Sequence, residues 1–306
     1  MKPISKEYQY RLDVIREALG PAAIELKGAL VYQRDCLSAM KMLPAGIVDL
    51  TVTSPPYNIG KEYEAKTDVA TYVDWCVKWI AEIYRLSQSN AAFWLNVGYL
   101  NLPEKARCLP IPYLLWDKTP FFLIQEIIWN YGAGVAARRN FSPRNEKFLW
   151  FVKNQLDYVF NLDNIRDPNV KYPNQKKNGK LKCNPLGKNP TDVWEIPKIT
   201  SGKNRSSAER TSHPAQFPIA IANRIIRGCA PAQALILDPF AGSGTSAVAA
   251  LRAGYISLNF ELEPKYIKII ESRLTGEVND LFAADVDQSY SRTLPQQTKF
   301  SAFDLG

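Results

Sequence analysis

The chain has 306 residues, of which 46% are hydrophobic, and can bury one large core, with or without an inserted region. Its formal net charge is +8, and its single histidine, His213, argues against a catalytic triad or a multi-histidine metal site, so we expect no metal. No apolar run reaches the length of a membrane span and no signal peptide opens the sequence. We therefore expect a cytoplasmic protein without a membrane partner. The five cysteines are scattered without the paired spacing of a zinc site, and we expect them to be reduced: Cys36, Cys76, Cys108, Cys183 and Cys229.

The first predicted element is an amphipathic helix over residues 6–19, with Tyr8, Leu12, Ile15 and Leu19 on one face. Such a face is typical of a helix that packs against its own domain. Strands are predicted over residues 48–53, 91–97, 121–129 and 148–152, and a helix carries the tryptophans at positions 75 and 79.

The strand over residues 48–53 ends in the turn Ser54-Pro55-Pro56-Tyr57. A residue that precedes proline is pushed towards extended geometry, and two prolines remove two backbone donors. The turn therefore offers mainly hydroxyl and carbonyl acceptors, followed by an aromatic ring. Taken alone, such a turn is also typical of a proline-stiffened loop with a packed tyrosine. As a binding site, it suits a planar base held by its exocyclic amino group.

A basic, loop-rich stretch follows in the middle of the chain. Residues 164–205 contain ten Lys or Arg against three Asp or Glu, a net charge of +7, and are rich in Asn, Pro and Gly. The alternative is a solvated basic loop, but beside a pocket for a base the charge favours contact with a phosphate backbone. Nine side chains there suit phosphates or base edges: Asn169, Lys171, Tyr172, Asn174, Gln175, Lys176, Lys177, Lys180 and Lys182.

The last part of the chain contains a strand, glycine turn and helix unit. Residues 234–237 form a short apolar strand, the turn Asp238-Pro239-Phe240-Ala241-Gly242-Ser243-Gly244-Thr245 follows, and a helix of small residues continues to about residue 253. The next predicted strand ends at Glu261, 19 residues after Gly242. An acid at this offset suits the two hydroxyls of a ribose. The third glycine of a dinucleotide fingerprint and the lysine of a phosphate loop are missing, and Asp238 would repel an anion, so a cationic ligand fits better.

With both motifs in place, the chain resembles the S-adenosylmethionine-dependent DNA methyltransferases that modify exocyclic amino groups. It is similar to the members in which the Pro-Pro-Tyr motif comes early and the glycine turn comes late, from about residue 33 to residue 274. Weaker pieces resemble the family in the expected order: residues 35–37, 140–146 and 213–218. In one of them, Asn145 stands before Glu146 where many relatives carry histidine.

The resemblance implies roles for particular residues. S-adenosylmethionine would lie over residues 238–245, with Glu261 on its ribose, Phe240 against its adenine and Asp238 near its ammonium group. Asp35 and Cys36 resemble positions beside the adenine, and His213 is either a cofactor-edge residue or a polar residue ahead of a helix. Ser54 and the Pro55 carbonyl would bind the amino group of a flipped base, Pro56 would stiffen the turn, and Tyr57 would stack on the base.

The resemblance also implies a fold and partners. Alternating strands and helices predict a doubly wound, mostly parallel sheet of the Rossmann-like methyltransferase type, with an inserted basic, loop-rich target-recognition region. The expected divisions are 1–153 for the N-terminal helix and catalytic half, 154–205 for the insertion, 206–280 for the cofactor half and 281–306 for a polar tail. Double-stranded DNA is the expected partner, and the sequence is compatible with a homodimer and with a cognate restriction endonuclease.

Serine at the first motif position is more typical of cytosine-N4 enzymes in this family, and aspartate of adenine-N6 enzymes. We therefore expect N4 of cytosine as the target, with N6 of adenine as the alternative. A catalytically inactive nucleic-acid-binding protein on the same scaffold is a more distant alternative. Intact Ser54, Tyr57, Asp238 and Glu261 argue against it.

Overall fold

The structure is a computed structural model that describes residues 6–62, 64–132, 134, 136–199 and 207–292, with residues 280–292 described by their backbone alone. The helices are α1 (Lys6–Leu19), α2 (Cys36–Met42), α3 (Val69–Leu86), α4 (Pro112–Leu115), α5 (Ile219–Cys229), α6 (Thr245–Ala253) and α7 (Pro264–Arg292), with a 3₁₀ turn at Leu162–Asn164. The strands are β1 (Ile24–Leu26), β2 (Ala29–Gln33), β3 (Val48–Thr53), β4 (Ser87–Val97), β5 (Tyr99–Leu102), β6 (Ala106–Pro110), β7 (Phe122–Asn130), β8 (Asn145–Val152), β9 (Lys176–Lys177), β10 (Lys180–Leu181), β11 (Val193–Glu195), β12 (Leu235–Asp238) and β13 (Ile256–Glu261).

Within the described residues, nine of the strands form one sheet in the order β1-β2-β13-β12-β3-β4-β8-β7-β11. Strands β2, β13, β12, β3 and β4 are parallel, β8 is antiparallel to both of its neighbours, and β11 runs parallel to β7. The two short pairs β5-β6 and β9-β10 lie outside this sheet. The expected doubly wound, mostly parallel α/β fold is therefore confirmed.

Helices cover both faces of the sheet, so its central strands are buried on both sides. Alternate residues of β4 divide between the two cores: Trp94 packs on the face of α5, α6 and α7, whereas Phe93 and Leu95 pack on the face of α1, α2 and α3. Helix α1 covers the residues predicted from its periodicity and buries Leu12 and Ile15.

The parallel strands bring the two sequence motifs to one edge of the sheet. Strands β3 and β12 are neighbours, with Leu50 and Thr51 paired to Ile236 and Leu237. Their carboxyl ends, which carry the Pro-Pro-Tyr turn and the glycine turn, therefore lie side by side.

The structure differs from the expected organisation in two places. The expected loop-rich insertion over 154–205 contains a β9-β10 hairpin at an Asn178-Gly179 turn, where both residues have positive φ, and it supplies β11 to the edge of the main sheet. Trp194 of β11 stacks on Trp94 with ring centroids 5.7 Å apart, and this burial explains why the strand joins the sheet. The expected polar tail over 281–306 is also partly helical, because α7 continues to Arg292, while residues 293–306 lie outside the described residues.

Candidate active site

The catalytic turn leaves the sheet at the end of β3. All six residues of β3 and Pro55 are buried, whereas Ser54 and Tyr57 are partly exposed and line the cleft. A rigid strand followed by two prolines therefore presents Ser54 and Tyr57 in fixed positions.

Ser54, Tyr57, Asn96 and Glu146 form one hydrogen-bonded cluster. Ser54 Oγ lies 3.0 Å from Tyr57 Oη, and Tyr57 Oη donates to Glu146 Oε2 at 3.0 Å. Asn96 Nδ2 donates to the same Glu146 oxygen at 3.0 Å and lies 3.4 Å from Ser54 Oγ. The ring of Tyr57 also fills the space where a Cβ on Gly98 would stand, 3.0 Å from Cε2. These contacts fix both the ring plane and the hydroxyl of Tyr57.

Burial and charge set the protonation of this cluster. Burial, followed by the charge of Glu146, raises the pKa of Tyr57 well above its ordinary value, so the side chain remains a phenol at neutral pH. Burial also raises the pKa of Glu146, while the hydrogen bonds from Tyr57 and Asn96 oppose that rise. Glu146 is therefore a stronger proton acceptor than an exposed glutamate.

The glycine turn follows β12 and ends at the first residue of α6. Gly242 and Gly244 have φ of +54° and +75°, a left-handed conformation that favours glycine. Glu261, at the end of β13, accepts the backbone N–H of Gly242 at 2.8 Å and that of Glu263 at 2.9 Å. Burial raises the pKa of Glu261, and these backbone hydrogen bonds counteract it. The carboxyl group of Glu261 thus supports the turn while remaining on the wall of the cleft.

Asp238 lies behind the glycine turn rather than on the cleft surface. Its carboxyl is only 2% exposed, accepts Thr53 Oγ1 at 2.7 Å and the N–H of Phe240 at 3.1 Å, and does not line the cleft. Burial raises the pKa of Asp238 to about 6, against the effect of hydrogen bonds from Ser246, Thr53 and Phe240. The carboxyl of Asp238 is thus turned into the protein. The expected contact between Asp238 and the ammonium group of the cofactor stays a prediction.

Arg273 of α7 also supports the glycine turn. Its Nη1 donates to the carbonyl of Ser243 at 2.6 Å and lies 3.2 Å from both Ser243 Oγ and Thr245 Oγ1. Thr245 Oγ1 in turn donates to the carbonyl of Phe217 at 3.2 Å. Ser243 and Thr245 are therefore held by the protein as well as being placed at the cleft.

His213 is buried beneath Gly242. Its Nδ1 accepts the N–H of Ala215 at 3.2 Å, and its ring lies edge to face with Tyr266 at 4.3 Å. Burial lowers the pKa of His213 to about 4, so the ring is neutral at physiological pH. A Cβ on Gly242 would stand 3.0 Å from His213 Nε2. His213 thus shapes the turn and also lines the cleft.

The remaining expected cofactor residues line the same cleft. Asp35 caps α2 by accepting the N–H of Ser38 at 2.8 Å, and Cys36 is buried at the first position of that helix. Burial raises the pKa of the Cys36 thiol to about 12, so it packs as a small apolar group. Phe240 packs against Trp75 and Trp79 with centroid distances of 5.5 and 5.2 Å, which holds its ring at the cleft wall.

One cleft of about 1130 Å³ joins the two motifs. It is lined by twelve of the fourteen expected catalytic and cofactor residues: Asp35, Cys36, Ser54, Pro55, Pro56, Tyr57, His213, Phe240, Gly242, Ser243, Thr245 and Glu261. Asp238 and Gly244 do not line it, and Gly244 instead packs under Ile270.

The expected DNA-binding residues lie outside the cleft, on and around the β9-β10 hairpin. All nine are solvent exposed: Asn169, Lys171, Tyr172, Asn174, Gln175, Lys176, Lys177, Lys180 and Lys182. Lys171 Nζ lies 5.3 Å from the centroid of the Tyr172 ring, and Gln175 accepts the N–H of Lys182 at 2.8 Å through its backbone carbonyl. These side chains are therefore accessible to solvent and to a ligand outside the cleft.

Sequence reasoning missed several residues of the cleft wall. Asn96 and Glu146 complete the hydrogen-bonded cluster, and Trp129, Tyr131 and Lys198 line the cleft beside them. The place of Asn96 in the cleft could have been predicted from the sequence, because Asn96 lies near the carboxyl end of an apolar strand that is parallel to β3. Glu146 lies near the start of the antiparallel strand β8, where the rule for carboxyl ends of parallel strands does not apply, and only its place at the end of the family-like residues 140–146 pointed to it.

The described residues also bear on metal binding and on membrane insertion. Within the part of the chain that the structure describes, no cluster of three His, Cys, Asp or Glu side chains is arranged to hold a metal ion. No helix among these residues is both long and apolar enough to cross a membrane.

The cleft fits S-adenosylmethionine by the chemistry of its walls. The Glu261 carboxyl provides acceptors for ribose hydroxyls, the ring of Phe240 provides an aromatic face, and the glycine turn allows close approach of a ligand to the backbone. The volume also leaves room for a base beside Ser54.

The fold and these two adjoining motifs define a class, the S-adenosylmethionine-dependent methyltransferases. The family model described as DNA methylase (N6_N4_Mtase) matches residues 48–272. The chain is 56% identical to the type II methyltransferase M.ScaI of Streptomyces caespitosus, over 90% of this chain and 91% of that one. It is 29% identical to the DNA adenine methyltransferase YhdJ of Escherichia coli strain K12, over 85% and 87%.

Solved structures show the same fold. The PvuII DNA methyltransferase (cytosine-N4-specific) superposes with a TM-score of 0.64 at 17% identity, covering 82% of this chain and 92% of that one. Other structures with this fold are complexes with S-adenosylmethionine. The chain belongs to the N4/N6 DNA methylase family, and S-adenosylmethionine is its cofactor.

Proposed function

We propose that this enzyme methylates N4 of a cytosine within a specific site of double-stranded DNA. The observation that supports this most directly is the position of Ser54: its hydroxyl lies at the cleft wall, 3.0 Å from Tyr57 Oη and in the same cleft as the glycine turn. Ser54 is the first residue of the Ser-Pro-Pro-Tyr motif, and serine at this position is more typical of the cytosine-N4 members of the family.

The chemistry begins with exposure of the base. A stacked base does not reach the cleft, so it must flip out of the duplex, at a cost of a few kcal/mol. Tyr57 then stacks on the flipped base, while Ser54 Oγ and the Pro55 carbonyl accept the two N–H groups of the amine. The amino lone pair is delocalised into the ring, and these hydrogen bonds favour the pyramidal nitrogen that attacks. When bound, the cofactor supplies an electrophilic methyl group and its leaving group.

The cofactor-side residues divide into contacts and supports. In this proposal Glu261 binds the ribose hydroxyls, and Phe240 and the Asp35-Cys36 pair border the adenine. Asp238 and Arg273 act from behind the turn by fixing its backbone. Asp238 accepts the N–H of Phe240, and Arg273 donates to the carbonyl of Ser243.

The exposed basic residues of the insertion supply the DNA contact in this proposal. A small-molecule substrate would have no need for the +7 net charge of residues 164–205, whereas a duplex offers phosphates along its whole length. The kinship with type II methyltransferases favours a cognate restriction endonuclease acting on the same site. A homodimer is compatible with the exposed face of α1.

Methylation of N6 of adenine is the second candidate. It is favoured by the similarity to YhdJ, whose name gives adenine as its target, and by the ability of a hydroxyl to bind either amine. The intact cluster around Ser54 and Glu146 disfavours a catalytically inactive DNA-binding protein.

Incubation with S-adenosylmethionine labelled in its methyl group and with mixed-sequence duplex DNA, followed by mass spectrometry of the nucleosides, tests the proposal. We expect labelled N4-methylcytosine from the wild type and little from Ser54→Ala, the matched variant that loses only the hydroxyl. N6-methyladenine would replace the cytosine assignment with the second candidate. A protein that binds cofactor but labels no DNA would contradict both.

A further inference from the structure

Methylation of an amino group leaves a proton to be removed, and this inference rests on the proposed function. As the nitrogen–carbon bond forms, the carbon–sulfur bond breaks and its electron pair leaves with sulfur. The nitrogen then carries one proton more than the neutral product. Because the base is enclosed by the cleft during the reaction, a side chain that receives this proton would assist the step.

Three side-chain oxygens form a continuous path from the catalytic turn into the wall of the cleft. The path runs from Ser54 Oγ to Tyr57 Oη over 3.0 Å and from Tyr57 Oη to Glu146 Oε2 over 3.0 Å. Both separations are ordinary O–H···O distances, slightly above the most frequent value. The path thus consists of the protein's own side chains.

The chemistry of the groups fixes the direction of these hydrogen bonds. An ionised Glu146 only accepts, so the Tyr57 hydroxyl donates to it. Tyr57 Oη is then free to accept the hydroxyl proton of Ser54. With its own proton pointed at Tyr57, Ser54 Oγ accepts Asn96 Nδ2 at 3.4 Å with one lone pair and has the other for the amino N–H of the base. Asn96 Nδ2 donates to Glu146 Oε2 and so stabilises the ionised form that this direction requires.

We propose that Glu146 is the terminal proton acceptor of methyl transfer, acting through Tyr57 and Ser54. The proton of the amine moves to Ser54 Oγ, the proton of Ser54 moves to Tyr57 Oη, and the proton of Tyr57 moves to Glu146 Oε2. One proton leaves nitrogen and one arrives at Glu146, and both hydroxyl groups are restored. Glu146 returns its proton to solvent after the product leaves the cleft.

The surroundings of Glu146 suit this role. The titratable and charged groups that face it are Tyr57, Tyr131, Lys147 and Lys198. Burial raises the pKa of Glu146 more than the hydrogen bonds and the two lysines lower it. The carboxylate consequently has a greater affinity for a proton than an exposed glutamate.

The test is the rate of methyl transfer in a single turnover, with enzyme in excess over duplex DNA, measured across a pH series. Glu146→Gln keeps the size of the side chain and an oxygen that accepts from Tyr57, but it does not take up a proton. Tyr57→Phe keeps the ring that stacks on the base and interrupts the path. Tyr32→Phe is the matched control, since it removes a hydroxyl that donates instead to the Gly20 carbonyl at 3.1 Å and does not line the cleft.

For the wild type and Tyr32→Phe, we expect the rate to rise with pH as Glu146 ionises and then to level off. For Glu146→Gln and Tyr57→Phe we expect the rate of methyl transfer to fall by about 100-fold, as for removal of a general base. The rate of these two variants should not rise with pH. Because both variants interrupt one path, the double variant should lose no more than either single variant. Cofactor affinity should stay unchanged.

Two results would overturn the proton path without affecting the proposed function. One is a Glu146→Gln enzyme that keeps the wild-type rate and its rise with pH. The other is a double variant in which the two rate losses multiply, because this would indicate that Tyr57 and Glu146 act independently. Failure of the wild type to methylate DNA would instead overturn the proposed function, and this inference with it.

Discussion

The Thr53 hydroxyl donates a 2.7 Å hydrogen bond to Asp238 Oδ1, which joins the end of β3 to the end of β12. Both residues are almost fully buried, with exposed fractions of 0% and 2%. Each stands directly before a functional turn: Ser54 follows Thr53, and Pro239 and Phe240 follow Asp238. The bond therefore sets the spacing between the base-binding turn and the cofactor turn.

Thr53→Val tests this bond, because valine keeps the shape of threonine and removes the donor. We expect the free energy of unfolding to fall by about 1–3 kcal/mol, since a buried acceptor loses a partner. We also expect weaker cofactor binding, because Asp238 holds the N–H of Phe240. Chemical denaturation and calorimetric titration measure the two effects. A stable variant with unchanged cofactor affinity would show that the bond does not set the spacing.

Asp238 should make stability depend on pH in an unusual direction. Its pKa is raised to about 6 in the folded protein from an ordinary value of 3.8, so between these values the folded state binds more protons than the unfolded state. Its contribution to stability is therefore fully present below about pH 4 and is lost as the pH rises through about 6. Asp238→Asn removes this titration.

The stability of the wild type relative to Asp238→Asn should thus be greater at pH 4 than at pH 7, by up to about 3 kcal/mol at 1.4 kcal/mol per pKa unit. Denaturant midpoints of both proteins at the two pH values measure the difference. The same difference at both values would mean that Asp238 does not titrate with a raised pKa.

The sequence predicted what depends on local pattern. β3 and α1 have the expected bounds, and the Pro-Pro-Tyr and glycine turns were visible because proline and glycine restrict or extend backbone geometry locally. The carboxyl-edge rule then placed both turns in one cleft.

Long-range contacts between side chains were not predictable in this way. Glu146 meets Tyr57 across 89 residues, and Asp238 meets Thr53 across 185. A single sequence carries no signal for either pairing. The position of Asp238 behind the turn depends on the burial of its neighbours. In the same way, β11 joins the main sheet through the stacking of Trp194 on Trp94.

Glu261→Gln should weaken cofactor binding and leave DNA affinity unchanged. Hydrogen bonds to a charged group contribute about 1.5–3 kcal/mol, which corresponds to a loss of about 10- to 100-fold in affinity. Titration calorimetry with S-adenosylmethionine measures this loss, and Glu271→Gln, an exposed position on α7, is the control. If cofactor affinity stayed normal, Glu261 would serve only to hold the N–H groups of Gly242 and Glu263.

Gly242→Ala should damage the cofactor turn beyond the cost of its backbone conformation. At φ of +54° an L residue costs about 1–2 kcal/mol, and the added Cβ would stand 3.0 Å from His213 Nε2. Gly254→Ala is a matched control, because Gly254 has a φ of +75° with nothing within 4 Å of the added atom. We expect both variants to lose stability but only Gly242→Ala to lose cofactor affinity. Equal affinities in the two would assign the tight contact no part in binding.

Lys176 and Lys177 of β9 should contribute to DNA affinity through phosphate contacts. Each phosphate contact contributes about 0.9 to the slope of log affinity against log salt, so replacing both lysines with glutamine should reduce the slope by about 1 to 2. Neighbouring residues of a strand point to opposite faces, so the two single variants identify which face of the hairpin meets the DNA. Fluorescence anisotropy with a duplex between about 50 and 200 mM salt measures the slope. Lys41→Gln with Lys268→Gln removes the same charge from exposed positions elsewhere and should leave the slope nearly unchanged. If the slope of the hairpin variant were also unchanged, the DNA-binding surface would have to lie on another part of the protein.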